Sequence, residues 1–195
     1  MIGSERPALF QVGTLTFAGD RSYRDTSDGT LLAQAFQRDR SPWRSLMTAG
    51  EIMDFRDPSG AALLSVGRIP PGFRLRRWAP IFWPNDQKAG TIKPVGFVHC
   101  DFQLCGLDGA TFATAERQAR GFRESYQILD GHRTPLGTVI EPEASVRAMS
   151  ERGALPTSRW LNVELDPGIP DILHLLILGL PQVIRMRHGW DHRQA

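Results

Sequence analysis

Two groups of arginines are the residues in this sequence best suited to bind a ligand. The first group is Arg74-Leu75-Arg76-Arg77-Trp78, the densest basic cluster, and the second consists of Arg117, Arg120 and Arg123. A guanidinium group presents a planar fork of N–H donors that matches the oxygens of a phosphate in pairs. These arginines are therefore candidates for contact with phosphate groups, and Trp78 adds an aromatic ring beside them.

The large number of arginines is weaker evidence for a function than their positions in the sequence. The 195-residue chain has 23 basic residues, of which only Lys88 and Lys93 are lysines, against 21 acidic residues and a formal net charge of +2. A GC-rich genome would also produce an excess of arginine. A dedicated nucleic-acid binder carries a stronger positive field, so we expect no nucleic-acid partner.

Few residues are suited to metal binding or catalysis. His99, Cys100 and Cys105 offer metal-capable side chains, but no further pair completes the four ligands of a zinc site. His99 and Cys100 are neighbours, and neighbouring residues of a strand face opposite sides, so the imidazole is not placed to activate the thiol. The common phosphate-loop, nucleophile-elbow and zinc-protease motifs do not occur in the sequence. We expect no metal, no cofactor and no catalytic residue.

The sequence predicts a cytoplasmic protein, at most bound to a membrane at its surface. Residues 1–7 contain no apolar segment of signal-peptide length. The longest apolar stretch, 169–184, is interrupted by polar residues and is shorter than the roughly 20 residues of a membrane span. Two cysteines are too few for a disulfide framework and suit a reducing compartment.

Turn signals divide most of the chain into short strands. Asp28-Gly29, Asp57-Pro58-Ser59-Gly60 and Asp108-Gly109 each lie between short stretches typical of strands. Such turns supply the positive φ angles that tight hairpins require. The alternation at Tyr126 and Ile128 has the period of two of a half-buried strand.

The central part of the chain is repeated. Two landmarks recur in the same order at offsets of 49 and 47 residues, namely Gly72-Phe73-Arg74 as Gly121-Phe122-Arg123, and Gly90-Thr91-Ile92 as Gly137-Thr138-Val139. The repeated units, about 51–94 and about 100–142, each contain four predicted strands. Two strands before the Asp28-Gly29 turn, one after it and a last one at 160–165 bring the number to about twelve.

So many short antiparallel strands predict a closed barrel, because closure leaves no exposed sheet edge. The lumen of a twelve-stranded barrel is too wide for its own side chains to fill. A helix that is apolar almost all round is predicted at about 171–186, and such a helix must be buried on every side. We therefore predict one mainly β domain over 1–195, with the helix inside the barrel. The residues expected to fill the lumen are Leu173, Leu176, Ile177 and Leu180.

Several loose motifs occur in a recognisable order between about Ala8 and Arg187. They are Phe55-Arg56-Asp57-Pro58-Ser59-Gly60, Leu63-Leu64-Ser65-Val66-Gly67-Arg68, Gly90-Thr91-Ile92, Tyr126-Gln127-Ile128-Leu129-Asp130, Gly137-Thr138-Val139 and the helix Ile172-Leu173-His174-Leu175-Leu176-Ile177-Leu178-Gly179-Leu180. With the predicted helix-filled barrel, this pattern resembles the tubby-like superfamily. Within that superfamily it is most similar to the phospholipid scramblase and LURP-one-related branch.

The resemblance implies a peripheral membrane protein that binds phospholipid headgroups or acts like a scramblase, without catalytic chemistry. Its expected partner is an anionic phospholipid surface. At the place where scramblases have their proposed calcium segment, Leu165–Asp171 offers too few oxygens for a calcium shell. The candidate headgroup-binding residues are Arg74, Arg76, Arg77, Trp78, Arg117, Arg120 and Arg123.

Two alternative functions fit the same pattern. A non-enzymatic scaffold with a protein partner is favoured by a filled lumen, which leaves no internal pocket. A calycin-type binder of small apolar ligands would instead carry the helix outside and keep the lumen open. No oligomeric state is predicted.

Overall fold

The computed structural model describes residues 6–38, 52–67, 78–96, 101–118, 123–145 and 159–188. These residues form a short 3₁₀ helix, Ala8–Phe10, followed by twelve strands and the C-terminal helix α1. The elements are β1 (Thr14–Phe17), β2 (Ser22–Asp25), β3 (Leu31–Gln37), β4 (Ile52–Arg56), β5 (Ala62–Gly67), β6 (Ala79–Phe82), β7 (Lys88–Val95), β8 (Asp101–Cys105), β9 (Thr111–Arg117), β10 (Ser125–Asp130), β11 (Pro135–Ile140), β12 (Leu161–Leu165) and α1 (Asp171–His188).

The strands form a closed antiparallel barrel. Each strand pairs with the next along the chain, and β1 pairs with β12, where Phe17 lies opposite Leu161. Closure satisfies the backbone groups that an open sheet would expose at its two edges. The predicted fold class, a closed barrel of about twelve strands around a C-terminal apolar helix, is confirmed.

Side chains alternate between the lumen and the outer surface of the barrel. In β1, Leu15 and Phe17 are fully buried, and in β4 Phe55 is fully buried. The rings of Phe17 and Tyr23 are 4.8 Å apart, and those of Tyr23 and Phe55 are 5.7 Å apart. These inward-facing aromatic rings form one part of the wall against which α1 packs.

The lumen is filled by α1. The helix contacts β5, β6, β7, β8 and β12, and its side chains at Leu173, Leu176, Ile177 and Leu180 are at most 6% exposed. Each such buried side chain stabilises the fold by about 1.5–3 kcal/mol relative to an exposed one. The lumen is therefore not open, as the calycin-type alternative requires it to be.

A buried hydrogen bond joins the barrel wall to α1 close to a proline in the helix. Pro181 has no N–H to donate to the preceding turn. In that turn the hydroxyl of Tyr23 donates to the carbonyl of Leu178, and both groups are buried. Burial raises the pKa of Tyr23 well above its ordinary value, so the hydroxyl keeps its proton and remains a donor.

The two sequence repeats form equivalent parts of the barrel. The first supplies β4–β7 and the second supplies β8–β11. Ile81 lies opposite Gly90 in the first, and Ile128 lies opposite Gly137 in the second. In both units the register shifts directly after the isoleucine, so the glycines occupy matching positions beside a bulge.

Candidate functional site

The connections between strands emerge alternately at the two ends of the barrel. Because successive strands are antiparallel, the connections after odd-numbered strands all lie at one end, and those after even-numbered strands lie at the other. The helix α1 begins at the second end and finishes at the first. There the Arg187 guanidinium donates to the carbonyl of Gly96, directly after β7, at 3.5 Å.

The connections at the two ends differ in charge, although one ion pair joins them: Arg38, directly after β3, lies 2.8 Å from the carboxylate of Asp86 in the β6–β7 turn. Between the strands joined at the first end, the sequence contains 13 arginines and seven acidic residues; we call this the arginine end. The connections at the other end, up to the start of α1, contain one arginine and five aspartates; we call this the aspartate end. The charged residues of the aspartate-end connections are Asp28, Asp57, Asp86, Asp108, Asp166 and Arg133.

The turn geometry keeps the aspartate end negative. The carboxylate of Asp57 accepts hydrogen bonds from the hydroxyl of Ser59 and from the backbone N–H groups of Ser59 and Ala61. These bonds, led by the one from the Ser59 hydroxyl, lower the pKa of Asp57. At the end of β10, backbone N–H groups, that of Thr134 first, lower the pKa of Asp130 in the same way. These carboxylates are thus fixed anions, held by the hairpins that they shape.

At the arginine end, two of the predicted headgroup residues reach the surface. Trp78 is 41% exposed, and the ammonium of Lys93 lies 5.6 Å from the centre of its ring. The side chain of Arg123 is 36% exposed, lies 3.7 Å from the Glu143 carboxylate and donates to the carbonyl of Glu141. Four further candidates, Arg74, Arg76, Arg77 and Arg120, lie outside the described residues.

Arg117 was predicted to contact headgroups, but its side chain is largely buried. Its side chain continues the inward-facing row of Ala113 and Ala115 in β9 and is only 9% exposed. The guanidinium forms an ion pair with Glu124 at 3.2 Å, and the hydroxyl of Tyr126 donates to the same carboxylate at 2.7 Å. The structure therefore gives Arg117 an internal partner in place of a lipid headgroup.

A second buried ion pair lies at the same end. Glu141 is fully buried and accepts hydrogen bonds from the guanidinium of Arg159 and, at 3.3 Å, from the hydroxyl of Ser145. The backbone N–H of Glu124 also donates to the Glu141 carboxylate, at 3.3 Å. The Glu141 carboxylate is thus bound to the backbone of Glu124, whose own carboxylate belongs to the first ion pair.

The helix contributes a further buried cation at the same end of the barrel. Arg185 is 2% exposed, donates to the carbonyl of Ala18 at 3.2 Å and lies 5.8 Å from the centre of the Phe17 ring. The residues predicted from the sequence did not include Glu141, Arg159 and Arg185. For Glu141 a signal was present, because it continues the period-two inward row through Gly137 and Val139.

The two buried ion pairs hold connections of the arginine end in place. Glu124 and Glu141 begin or end connections at this end, and their ion pairs tie those connections to the barrel wall. Removing one partner of a buried ion pair leaves an uncompensated charge, which costs about 3–5 kcal/mol. Arg117 and Arg159 are therefore held by partners inside the protein.

The described residues offer no metal centre. No three His, Cys, Asp or Glu side chains in this part of the chain lie close enough together to hold a metal ion. Cys105 is buried, with its thiol 3.8 Å from the hydroxyl of Thr111. His99 and Cys100 lie outside the described residues.

Across the described ranges, no helix combines the length and the apolar character needed to cross a bilayer. The interior helix α1 includes the buried polar side chains His174, Gln182 and Arg185.

Comparisons with protein-family models, with curated proteins and with solved structures found no match. The resemblance to tubby-like proteins therefore stays a prediction from the sequence motifs.

Proposed function

We propose that the protein binds anionic phospholipid surfaces through the arginine end of its barrel, as a peripheral protein without catalytic chemistry. The observation that supports this proposal is the separation of charge between the two ends. An anionic surface attracts the end with 13 arginines and repels the end with five aspartates in its connections, so it orients the molecule as well as binding it.

The filled lumen restricts where a ligand binds. Because α1 occupies the interior, a ligand of any size must bind outside the barrel wall or at its ends. Each Lys or Arg close to an anionic leaflet contributes about 1 kcal/mol of attraction. A few arginines at one end would thus be sufficient for reversible headgroup binding, and lipid transport through the lumen is not part of the proposal.

Co-sedimentation with vesicles tests the proposal. We expect the protein to bind vesicles of phosphatidylcholine with phosphatidylserine, to bind pure phosphatidylcholine much less, and to dissociate as salt is added. Changing Arg74, Arg76 and Arg77 to serine should weaken binding at least about tenfold, because three charges are removed from the membrane-facing end.

A matched control removes the same charge from the opposite end. Arg24, Arg56 and Arg133 have side chains 41%, 49% and 72% exposed and lie at or beside the aspartate end. Changing these three to serine should leave binding nearly unchanged. Equal sedimentation with neutral and anionic vesicles would contradict the proposal, and so would equal losses in the two triple variants.

A further inference from the structure

The aspartate end has a small depression with mostly apolar walls. It lies beside the start of α1, has a volume of about 170 Å³ and is bordered by the N-terminal segment, β5 and the β6–β7 turn. Two aromatic rings and two prolines provide most of its wall, so it suits an apolar ligand group. The apolar residues that line it are Pro7, Phe10, Leu63, Trp83 and Pro84.

A second depression adjoins the first. It has a volume of about 410 Å³ and is lined by Asn85 and Gln87 as well as by Trp83 and Pro84. Because Trp83 and Pro84 line both depressions, they separate one from the other, and we call them the Trp83–Pro84 ridge. Backbone hydrogen bonds hold this turn in place, since the N–H of Trp83 donates to the carbonyl of Gln87 at 2.8 Å and that of Asp86 donates to the carbonyl of Trp83 at 3.0 Å.

The charges around the first depression are paired. Arg6 and Asp171 both line it and form an ion pair with each other. Asp86 of the β6–β7 turn lies 2.8 Å from the guanidinium of Arg38. The β4–β5 and β6–β7 turns and the residues beside them add charges of both signs, namely Arg56, Asp57 and Lys88. Charge complementarity therefore favours an uncharged occupant.

The polar groups that remain for a ligand in the first depression are donors. Arg6 uses Nη2 to donate to Asp171 and to Nδ1 of His174, and in the described part of the chain no acceptor binds its Nε or Nη1. The indole N–H of Trp83 also has no acceptor among the described residues. A matching ligand offers carbonyl acceptors and few N–H groups. A proline-rich segment meets this requirement, because each proline has a carbonyl and no N–H.

We propose that this surface binds an uncharged, proline-rich segment of a partner protein in the polyproline II conformation, with one proline in each depression and the Trp83–Pro84 ridge between them. A polyproline II helix repeats every three residues, about 9 Å, so it presents successive prolines to adjacent depressions. Grooves with aromatic walls bind such segments because the conformation is already formed and little entropy is lost. The inference does not rest on lipid binding, since the surface lies at the end of the barrel opposite the arginine end.

Titration calorimetry with decaproline, acetylated and amidated so that it has no charge, tests the inference. Trp83→Ala removes the ridge and should weaken binding at least about tenfold. Trp83→Phe keeps an aromatic ring but removes the N–H donor, and should weaken binding about threefold. Leu107→Ala is the matched control, since Leu107 is 67% exposed in the β8–β9 turn of the same end, and it should bind like the unchanged protein. Added salt should change the affinity little, because the ligand is uncharged.

Several results would overturn the inference. They are no binding of decaproline to the unchanged protein, equal binding by Trp83→Phe and Trp83→Ala to that of the unchanged protein, and equal binding of a capped glycine–serine peptide of the same length. Binding of benzyl alcohol without binding of decaproline would identify a small-molecule site and would also overturn it. Melting temperatures confirm that the variants are folded, and Trp83→Phe keeps the ring packing should Trp83→Ala unfold. Vesicle binding by the arginine end is measured separately and does not change with any of these results.

Discussion

His174 connects the N-terminal segment to the start of the interior helix. Its side chain is buried, its ring packs edge-on against Phe10 at 5.4 Å, and its Nδ1 lies 3.4 Å from the guanidinium of Arg6. Arg6 also pairs with Asp171 in the first turn of α1. Burial and, to a smaller extent, the nearby Arg6 cation lower the pKa of His174 to about 4, although Asp171 opposes the shift. The folded protein therefore holds this imidazole neutral.

The lowered pKa of His174 predicts a loss of stability in acid. Between pH 6.5 and about 4 the unfolded chain binds a proton at His174 that the folded chain does not, so stability falls as the pH falls through this range. The whole effect is at most about 3.5 kcal/mol, since one pKa unit corresponds to about 1.4 kcal/mol. Urea unfolding of the protein and of His174→Gln at several pH values measures the difference. Parallel pH profiles for the two proteins would show that His174 is not the group responsible.

The surface role of individual arginines was the least predictable property. Sequence proximity placed Arg117 with Arg120 and Arg123, but proximity does not say which side of a strand a residue faces. The side chains of Ala113, Ala115 and Arg117 face the lumen. The partner of Arg117 is Glu124, which lies at the end of the β9–β10 connection. Whether a charged side chain at the end of an inward-facing row is exposed or paired can be predicted only when the strand register and the partner residue are both known.

At the scale of elements, the strands and the helix followed from local signals. The Asp-Gly turns marked hairpins because only a few residue types adopt the backbone angles that these turns need. The helix was predicted at about 171–186, and the structure extends it to His188. The bulges beside Gly90 and Gly137 had no comparable signal, because they depend on contact with the strand on the other side.

The repeated glycines are explained by that contact. A Cβ on Gly90 would lie 2.4 Å from the carbonyl oxygen of Cys105 in β8, and a Cβ on Gly137 would lie 2.3 Å from that of Glu164 in β12. Both oxygens belong to the backbone of a paired strand and cannot move without disturbing the barrel. The Gly-Thr-Ile/Val motif therefore recurs because each unit brings two strands close together at the same point.

Alanine at either glycine should destabilise the barrel. Gly90→Ala and Gly137→Ala are each expected to cost about 1–3 kcal/mol, the usual range for overpacking a well-packed site. Gly131→Ala is the control, because a Cβ there meets nothing within 4 Å, and its stability should change little. Thermal unfolding followed by circular dichroism compares the three variants. Equal melting temperatures for Gly90→Ala and Gly131→Ala would refute the explanation.

At the scale of the whole molecule, the order of the strands creates the charge separation. A net charge of +2 indicates no polarity, and the sequence alone does not say which connections share an end. Alternation in a closed barrel collects the long, arginine-rich connections at one end and the tight aspartate turns at the other. A nearly neutral chain thus becomes a molecule with two electrically different ends.

The barrel should depend on α1 for its stability. The helix places eight apolar side chains in the lumen, from Leu173 to Ile184, each at most 7% exposed. At about 1.5–3 kcal/mol each, their burial is worth roughly 12–24 kcal/mol, as large as or larger than the 5–15 kcal/mol net stability of an ordinary domain. A chain ending at Pro170 should therefore lose its cooperative thermal transition and bind a dye for exposed apolar surface, whereas a chain ending at His188 should retain the transition. A cooperative transition in the shorter chain, together with binding of a small apolar probe, would instead mean that the barrel is stable with an open lumen, as a small-ligand binder requires.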